Sequence, residues 1–236
     1  MRSLSIVVLA LGLTFCGLAQ QAESPPATPV AVVNGEEISR QELNQATNLS
    51  QIIFNIYQSF PSFAQTLLTT EEGEALLRRY ERDVLDRIVL RRLQLQQARA
   101  RGIEPDPDRV DERTQQTMDR ILEQNDLTQE QLTEVLAQQG RTVENFRADV
   151  ARQVREQLQL EELRDRVTEQ ATVSDQEIQD YYAAHPDRFT DDAGKQQPLE
   201  EGRDEITSVL LDDKKSQLWE EWLEQIREEA EVTVNL

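Results

Sequence analysis

Apolar residues at helical spacing, bounded by capping residues, restrict this chain to a largely helical fold. Between Thr69 and Gly102 the apolar side chains recur at steps of three, four or seven residues, at Leu77, Tyr80, Val84, Ile88 and Leu95. Thr69 with Glu72 predicts the helix start, and Gly102 predicts an end after Arg101. The 236 residues include eight glycines and eight prolines, too few for a turn-rich sandwich. We therefore predict a mainly α-helical fold built from long helices.

Capping residues and chain breakers divide the remainder of the chain into further helices. The first is predicted from Leu43 to about Phe60, where Pro61 interrupts it. The next two helices are predicted from Asp106-Pro107 to about Asn125 and from Thr128, paired with Gln131, to Gly140. A further helix contains apolar residues four apart, at Phe146, Val150, Val154 and Leu158, and continues through Val167. The last two are predicted from Ser174, paired with Glu177, to His185-Pro186 and from about Leu199 to Glu231.

Two short apolar segments at opposite ends of this helical region have the pattern of strands. Val30–Val33 is followed by Asn34-Gly35, a pair typical of a type I′ hairpin turn, and then by Glu36–Ile38. Ser39 with Glu42 predicts a capped helix directly after this hairpin. Val232–Val234 alternates apolar and polar residues. Since two strands are marginal alone, we predict that the hairpin and the 232–234 strand form one small sheet.

The amino-terminal residues have the composition of a secretion signal. Arg2 precedes an apolar run from Leu4 to Phe15, and small residues follow up to Ala19, so residues 1–19 are predicted to be a signal peptide. Residues 20–29, with three prolines, are predicted to be a flexible leader. Cys16 could carry a lipid, but Phe15 stands where a lipoprotein has a small residue, which favours a soluble periplasmic or otherwise extracytoplasmic protein. No later segment is apolar enough for a membrane span.

The charge and the residue types present exclude several classes of function. Lys and Arg number 25 against 45 Asp and Glu, and the net charge of −20 disfavours nucleic-acid binding. The acidic clusters at 71–74 and 106–111 lack the ligand series of a calcium loop, so no metal is predicted. His185 is the one histidine; it could act as a pH sensor, but a structural role before Pro186 is favoured. No nucleotide motif, cofactor site or catalytic residue is identified, and we predict that the protein is not an enzyme.

The order of these elements resembles SurA- and PrsA-type extracytoplasmic chaperones. Val30–Leu43 is similar to the hairpin opening of that family, Ala98–Ile103 to a helix end, and Ile121–Leu132 with Gly140 and Phe146 to its short-helix segment. Val173–Tyr182 with His185-Pro186 resembles the connector that leads into a parvulin-type prolyl isomerase domain. The helix around Trp219 and Trp222 with Val232–Val234 resembles the carboxy-terminal helix and strand. The resemblance implies a SurA N-terminal-like helical chaperone domain spanning residues 30–236.

This chain departs from the family pattern at the place where the isomerase domain is expected. Only eight residues, 190–197, separate Phe189 from Pro198, whereas a domain needs about 50 or more. The isomerase sites of the family also use paired histidines, and this chain has one. We therefore predict a short linker at 190–197 and no isomerase activity.

The apolar stretch from Ile52 to Leu68 has two interpretations. Burial in the core would explain most of it, whereas exposure of part of it would create a groove for unfolded polypeptides. The second interpretation makes Ile53, Phe54, Tyr57, Phe60 and Phe63 the candidate contact residues.

Two functions are consistent with the sequence. The first is an ATP-independent chaperone (a holdase) that binds unfolded or nascent secreted and outer-membrane polypeptides. The alternative is a non-catalytic adaptor or structural protein with one dedicated envelope partner. A homodimer is left open in both.

Overall fold

The computed structural model describes residues 28–190 and 197–236. The predicted signal peptide, nearly all of the leader and most of the predicted linker lie outside the described residues and stay predictions. None of the described helices has the length and apolarity needed to cross a membrane.

The fold is mainly α-helical with a small antiparallel sheet made from both ends of the described chain, as predicted. Its elements, in chain order, are β1 (Ala31–Val33), β2 (Glu36–Ile38), α1 (Arg40–Thr47), α2 (Leu49–Ser59), α3 (Pro61–Thr69), α4 (Glu71–Ala100), α5 (Pro107–Asn125), α6 (Gln129–Gln138), α7 (Val143–Thr168), α8 (Asp175–Ala184), a 3-10 helix (Pro186–Phe189), α9 (Leu199–Glu228) and β3 (Val232–Val234).

The sheet confirms the predicted pairing of the hairpin with the distant third strand. The strand order is β2-β1-β3, and both pairs are antiparallel. The turn between β1 and β2 has positive φ at both central residues, 48° at Asn34 and 82° at Gly35, as a type I′ turn requires. Val33 lies opposite Glu36 in one pair and opposite Val232 in the other.

Several predicted helix ends are confirmed by their hydrogen bonds. Thr128 and Gln131 form a full capping box at the start of α6, with bonds of 2.8 and 3.2 Å. Ser174 and Glu177 form a second box at the start of α8. Gly102, with φ of 63°, follows the end of α4 in the left-handed conformation that favours glycine.

Two predicted helix boundaries are wrong. The helix expected from Leu43 to about Phe60 is two helices, because Asn48 adopts a left-handed φ of 48° and ends α1 before α2 begins. The cap of α4 is Thr70, whose Oγ1 accepts the Gly73 N–H at 3.1 Å, whereas the Thr69 hydroxyl donates back to the Gln65 carbonyl.

The Ser39–Glu42 pair forms only one of the two hydrogen bonds of the predicted capping box. Ser39 Oγ accepts the Glu42 N–H at 3.0 Å. Both carboxylate oxygens of Glu42 accept from the Arg92 guanidinium of α4, at 2.9 and 3.1 Å. Arg92 also bonds Glu36 at 3.3 Å, so one side chain connects the hairpin and α1 to α4.

Within the span 30–236, contacts between residues define two compact units. The first comprises the chain up to Leu93, Asp111–Arg152 and Ala230–Leu236. Its interior includes the strand residues Ala31, Val33 and Ile38 and apolar positions of the helices, among them Leu43, Leu85, Leu93, Leu136 and Val150. Thr47 is buried with them, and its carbonyl accepts the Tyr80 hydroxyl at 3.0 Å.

The second unit comprises Gln94–Val110 and Gln153–Glu229. One of its clusters contains Ala98, Ile103 and Leu163, with Trp219 and Trp222 packed against it. The other contains Ile178, Phe189 and Ile206.

Two local contacts position α9 within the second unit. A Cβ on Gly202 would lie 2.9 Å from the Phe189 ring, so a larger residue at this position would require the ring to shift. Lys214 lies 2.6 Å from Glu177 and, together with Ser174, lowers the pKa of that carboxyl to about 2.

Deleting residues 232–236 tests the pairing of the distant strand. We expect the melting temperature to fall by several degrees, because β1 loses one of its two partners and a two-stranded hairpin is marginal alone. Differential scanning calorimetry measures the change. Deletion of Leu236 alone is the control, since the last bond of the ladder is made by Asn235. Equal melting of the two truncated proteins would contradict the structural role of β3.

Candidate polypeptide-binding surface

The α2–α3 segment (Leu49–Thr69) is formed by two short helices on either side of a sharp break. Asn48 ends α1, and α2 then runs to Ser59. Phe60 leaves helical geometry, with φ of −141° and ψ of 68°, and Pro61 occupies the first position of α3. A proline is favoured there because its missing N–H would have no helical partner.

The aromatic residues of this segment are exposed. The exposed fractions of Phe54, Tyr57, Phe60 and Phe63 lie between 56% and 67%. Of the five predicted contact residues only Ile53 is half-buried. The interpretation that core burial explains most of this apolar stretch is therefore wrong. Exposed aromatic rings grouped along one short segment are the usual sign of a binding surface.

Helical spacing separates the exposed and inner sides of α2. Phe54 and Tyr57, three residues apart, are neighbours on one side of the helix. Ile53 and Ile56, also three apart, are half-buried, and the midpoint of this pair lies about 100° around the helix from that of Phe54 and Tyr57. In α3 the inner positions are Ala64 and Leu67, both buried. The segment thus has its own apolar attachment and does not need its aromatic rings for packing.

The same segment lies within a long stretch that carries no charge. Residues 43–70, 28 in all, contain no Asp, Glu, Lys or Arg, although 30% of the whole chain is charged. Glu42 precedes the stretch and Glu71 follows it. Individual sequence motifs do not reveal this uncharged stretch, whereas the distribution of charged residues along the sequence does.

Amide and hydroxyl groups supply the polar character of this surface. The Gln51 side chain donates to the Asn55 side chain at 2.9 Å, one turn further along α2. On α3 the Thr66 hydroxyl donates to the Ser62 carbonyl at 3.1 Å. A surface of aromatic rings, amides and hydroxyls offers apolar contact and neutral hydrogen bonds to a ligand, with no fixed charge to select against a sequence.

Close contact between two backbones holds α3 against the start of α4. A Cβ built on Gly73 would lie 2.1 Å from the Leu67 carbonyl oxygen, far inside contact distance. Glycine is therefore needed at 73 for close approach, and a larger residue would force the end of α3 away.

A concave surface of the first unit lies among α5, α6 and the start of α7. It has a volume of about 550 Å³ and an apolar lining that includes Met118, Leu122 and Leu132. The charged groups at its rim are largely engaged: Arg141 lies 2.6 Å from Asp149, and Arg147 donates to Gln115 at 2.7 Å. This groove has less exposed aromatic surface than the α2–α3 segment.

The remaining chemical groups have structural contacts. His185 stacks on Tyr181 with ring centroids 4.1 Å apart, and its Nδ1 lies 2.8 Å from the Tyr181 carbonyl oxygen. Across residues 28–190 and 197–236, no group of three or more His, Cys, Asp or Glu side chains could hold a metal ion.

The helical fold with its terminal sheet is that of SurA N-terminal-like domains. The chain belongs to this family, since the model described as "SurA-like N-terminal domain" matches residues 2–161, about two thirds of the sequence. This match confirms the family resemblance inferred from the motifs.

Curated relatives carry the name foldase protein PrsA. The protein from Clostridium kluyveri is 26% identical over 192 residues, which cover 80% of this chain and 55% of the relative. The protein from Clostridium botulinum is 21% identical over 189 residues, covering 80% and 54%. The chain thus spans about half the length of the curated relatives that it matches.

A solved chain from Campylobacter jejuni has the same fold. It comes from work on the virulence factor PEB4 and the periplasmic protein Cj1289, described as two structurally related SurA-like chaperones. The TM-score is 0.50 at 11% sequence identity, and the likeness covers 88% of this chain and 98% of the other.

Replacing Gly73 with alanine tests the backbone contact that holds α3. We expect the free energy of unfolding to fall by about 1–3 kcal/mol, a typical cost of overpacking a closely packed contact. Urea denaturation measures the loss. The neighbouring Glu74→Ala is the control, because it removes only an exposed pair with Arg78 that contributes about 0.3–0.5 kcal/mol. A Gly73→Ala protein as stable as this control would contradict the close approach.

Proposed function

We propose that this protein is an ATP-independent extracytoplasmic chaperone that holds unfolded polypeptides on its α2–α3 segment. The observation that carries the proposal is the coincidence of four exposed aromatic rings with 28 consecutive uncharged residues in a chain of net charge −20. Membership of the SurA-like N-terminal domain family supports a role in protein folding. The names of the PrsA relatives and of the Campylobacter jejuni chaperones point in the same direction.

The chemistry of the surface suits clients of varied sequence. Aromatic rings contribute apolar contact area with two rotatable bonds each, so their binding costs little side-chain entropy. Neutral amides and hydroxyls accept or donate hydrogen bonds to any backbone. Because the sequence contains no nucleotide motif, clients are released by dissociation, which requires contacts that are individually weak.

A dedicated adaptor is the alternative that this surface favours less. Specific partners are commonly selected by placed charges and by repulsion of wrong partners, and the α2–α3 segment has no charged side chain. Chemical crosslinking in cells separates the two functions: a chaperone is captured with many extracytoplasmic proteins, an adaptor with one partner at fixed stoichiometry.

Substituting the aromatic residues tests the binding surface. We expect Phe54→Ala and Tyr57→Ala each to lower the free energy of unfolding by under about 1 kcal/mol, as for exposed sites, and not by the ~3–5 kcal/mol of a core aromatic. Binding of an unfolded outer-membrane protein, diluted from urea, should weaken several-fold, and suppression of its aggregation should weaken in parallel. Fluorescence anisotropy of the labelled client and light scattering measure the two effects.

The matched control is Val135→Ala, an exposed apolar residue of α6 outside the surface. It should leave client binding unchanged. Loss of binding in the control as well, or full binding in the Phe54→Ala/Tyr57→Ala double variant, would place the client site elsewhere.

We also propose that the protein does not catalyse prolyl isomerisation. Gln197 N–H donates to the Phe189 carbonyl at 2.7 Å, so the two ends of the 190–197 segment are held together. We expect an X–Pro peptide to isomerise at its uncatalysed rate, over tens to hundreds of seconds, with or without the protein. A protease-coupled assay measures the rate. Isomerisation that rises in proportion to protein concentration and disappears in His185→Ala would overturn this proposal.

A further inference from the structure

The backbone groups of β3 are divided between two sides by its register. Asn34 N–H donates to the Glu231 carbonyl at 2.9 Å, and Asn235 N–H donates to the Val30 carbonyl at 2.8 Å. Residues 231 and 235 therefore face β1. Because hydrogen-bonded and non-hydrogen-bonded pairs alternate in an antiparallel ladder, Thr233 faces β1 with them. The N–H and C=O groups of Val232 and Val234 point away from β1.

No strand of the described chain pairs with this outer side of β3, which is the edge of the sheet. The side chains of Val232 and Val234 are 38% and 48% exposed, and Thr233 and Asn235 are exposed as well. The strand is thus open along its edge and on both faces. An accessible edge of this kind is a template for pairing with another extended chain.

The opposite edge of the sheet is protected. The two-residue turn makes Val33 and Glu36 a hydrogen-bonded pair, so Glu37 directs its backbone outward. Arg92 Nη1 donates to the Glu37 carbonyl at 3.4 Å. Charged side chains and an occupied carbonyl are common devices against edge pairing, whereas the residues Val232–Val234 include none.

We propose that the outer edge of β3 binds an extended, positively charged polypeptide segment as a fourth strand of the sheet. Val232 and Val234 supply the backbone bonds, and their side chains favour apolar residues at alternate positions of the added strand. Glu231 lies directly before the strand, is exposed, and carries the same sign as the net charge of −20. A second copy of the chain is disfavoured because two molecules of charge −20 repel each other.

This binding mode stands independently of the aromatic surface. It uses backbone hydrogen bonds at a sheet edge, whereas the proposed function rests on side chains of α2 and α3. The experiment below therefore includes a variant of each surface.

Amide hydrogen exchange in the full-length protein tests the proposal directly. The probe is a nine-residue peptide of alternating threonine and valine with a lysine at each end. We expect the amides of Val232 and Val234 to exchange at least ten-fold more slowly when the peptide is bound. The Thr233 and Asn235 amides, already bonded to β1, should change less. Exchange that is unaltered at Val232 and Val234 would overturn the proposal.

Two modified peptides provide the controls. A peptide N-methylated at every residue has no backbone N–H donor on either side, so it cannot pair along the edge and should give no protection. A peptide with glutamate in place of both lysines should bind at least five-fold more weakly at low salt. Equal protection by the methylated peptide would exclude strand addition, and equal binding of the acidic peptide would exclude the charge preference.

Variants of the protein complete the test. Val234→Pro removes an outward N–H and should weaken peptide binding at least five-fold, whereas Val234→Thr keeps that N–H and should bind within two-fold. The Phe54→Ala/Tyr57→Ala double variant should keep the edge protection, so failure of one proposal leaves the other standing. Protection of Val232 and Val234 that rises with protein concentration, without peptide, would show that a second copy occupies the edge and would overturn the assignment.

Discussion

The first unit depends on the pairing of β1 with a strand about two hundred residues further along the chain. Asn34 makes this connection twice: its N–H donates to the Glu231 carbonyl, and its side-chain oxygen accepts the Glu231 N–H, both at 2.9 Å. The same residue needs a positive φ to close the hairpin. A single asparagine therefore connects the hairpin turn to the residue that precedes β3. The sheet is complete because β1 lies between β2 and β3.

Uneven charge distribution lets this chain expose aromatic surface and remain compatible with water. The chain has a net charge of −20, yet residues 43–70 carry no charge at all. Net charge far from zero opposes association between copies, so the rest of the molecule can offset the exposed rings. The segment itself is attached by buried Ala64 and Leu67 and by the close backbone contact at Gly73. Within this one segment, some residues pack against the fold and stabilise it, while the aromatic residues remain exposed to solvent.

Local signals predicted most helix ends because a cap involves only residues three or four apart. The boxes at Thr128 and Ser174 follow directly from their side chains. The prediction was wrong at the start of α4, where the hydroxyl of either Thr69 or Thr70 could cap the helix. The path of the chain from α3 into α4 selects Thr70. The prediction was wrong at Asn48 too, because the left-handed conformation of asparagine is permitted but not required.

The helical class, the type I′ turn and the family could all be predicted from the amino-acid sequence, because each depends on local spacing or on the order of recognisable residues. The exposure of Phe54 and Tyr57 became evident in the folded protein alone, since an apolar stretch has the same pattern whether it is buried or open to solvent. The open edge of β3 likewise follows from strand order and register. Both surfaces depend on which neighbours the fold brings near, and the spacing of residues along a chain does not contain that information.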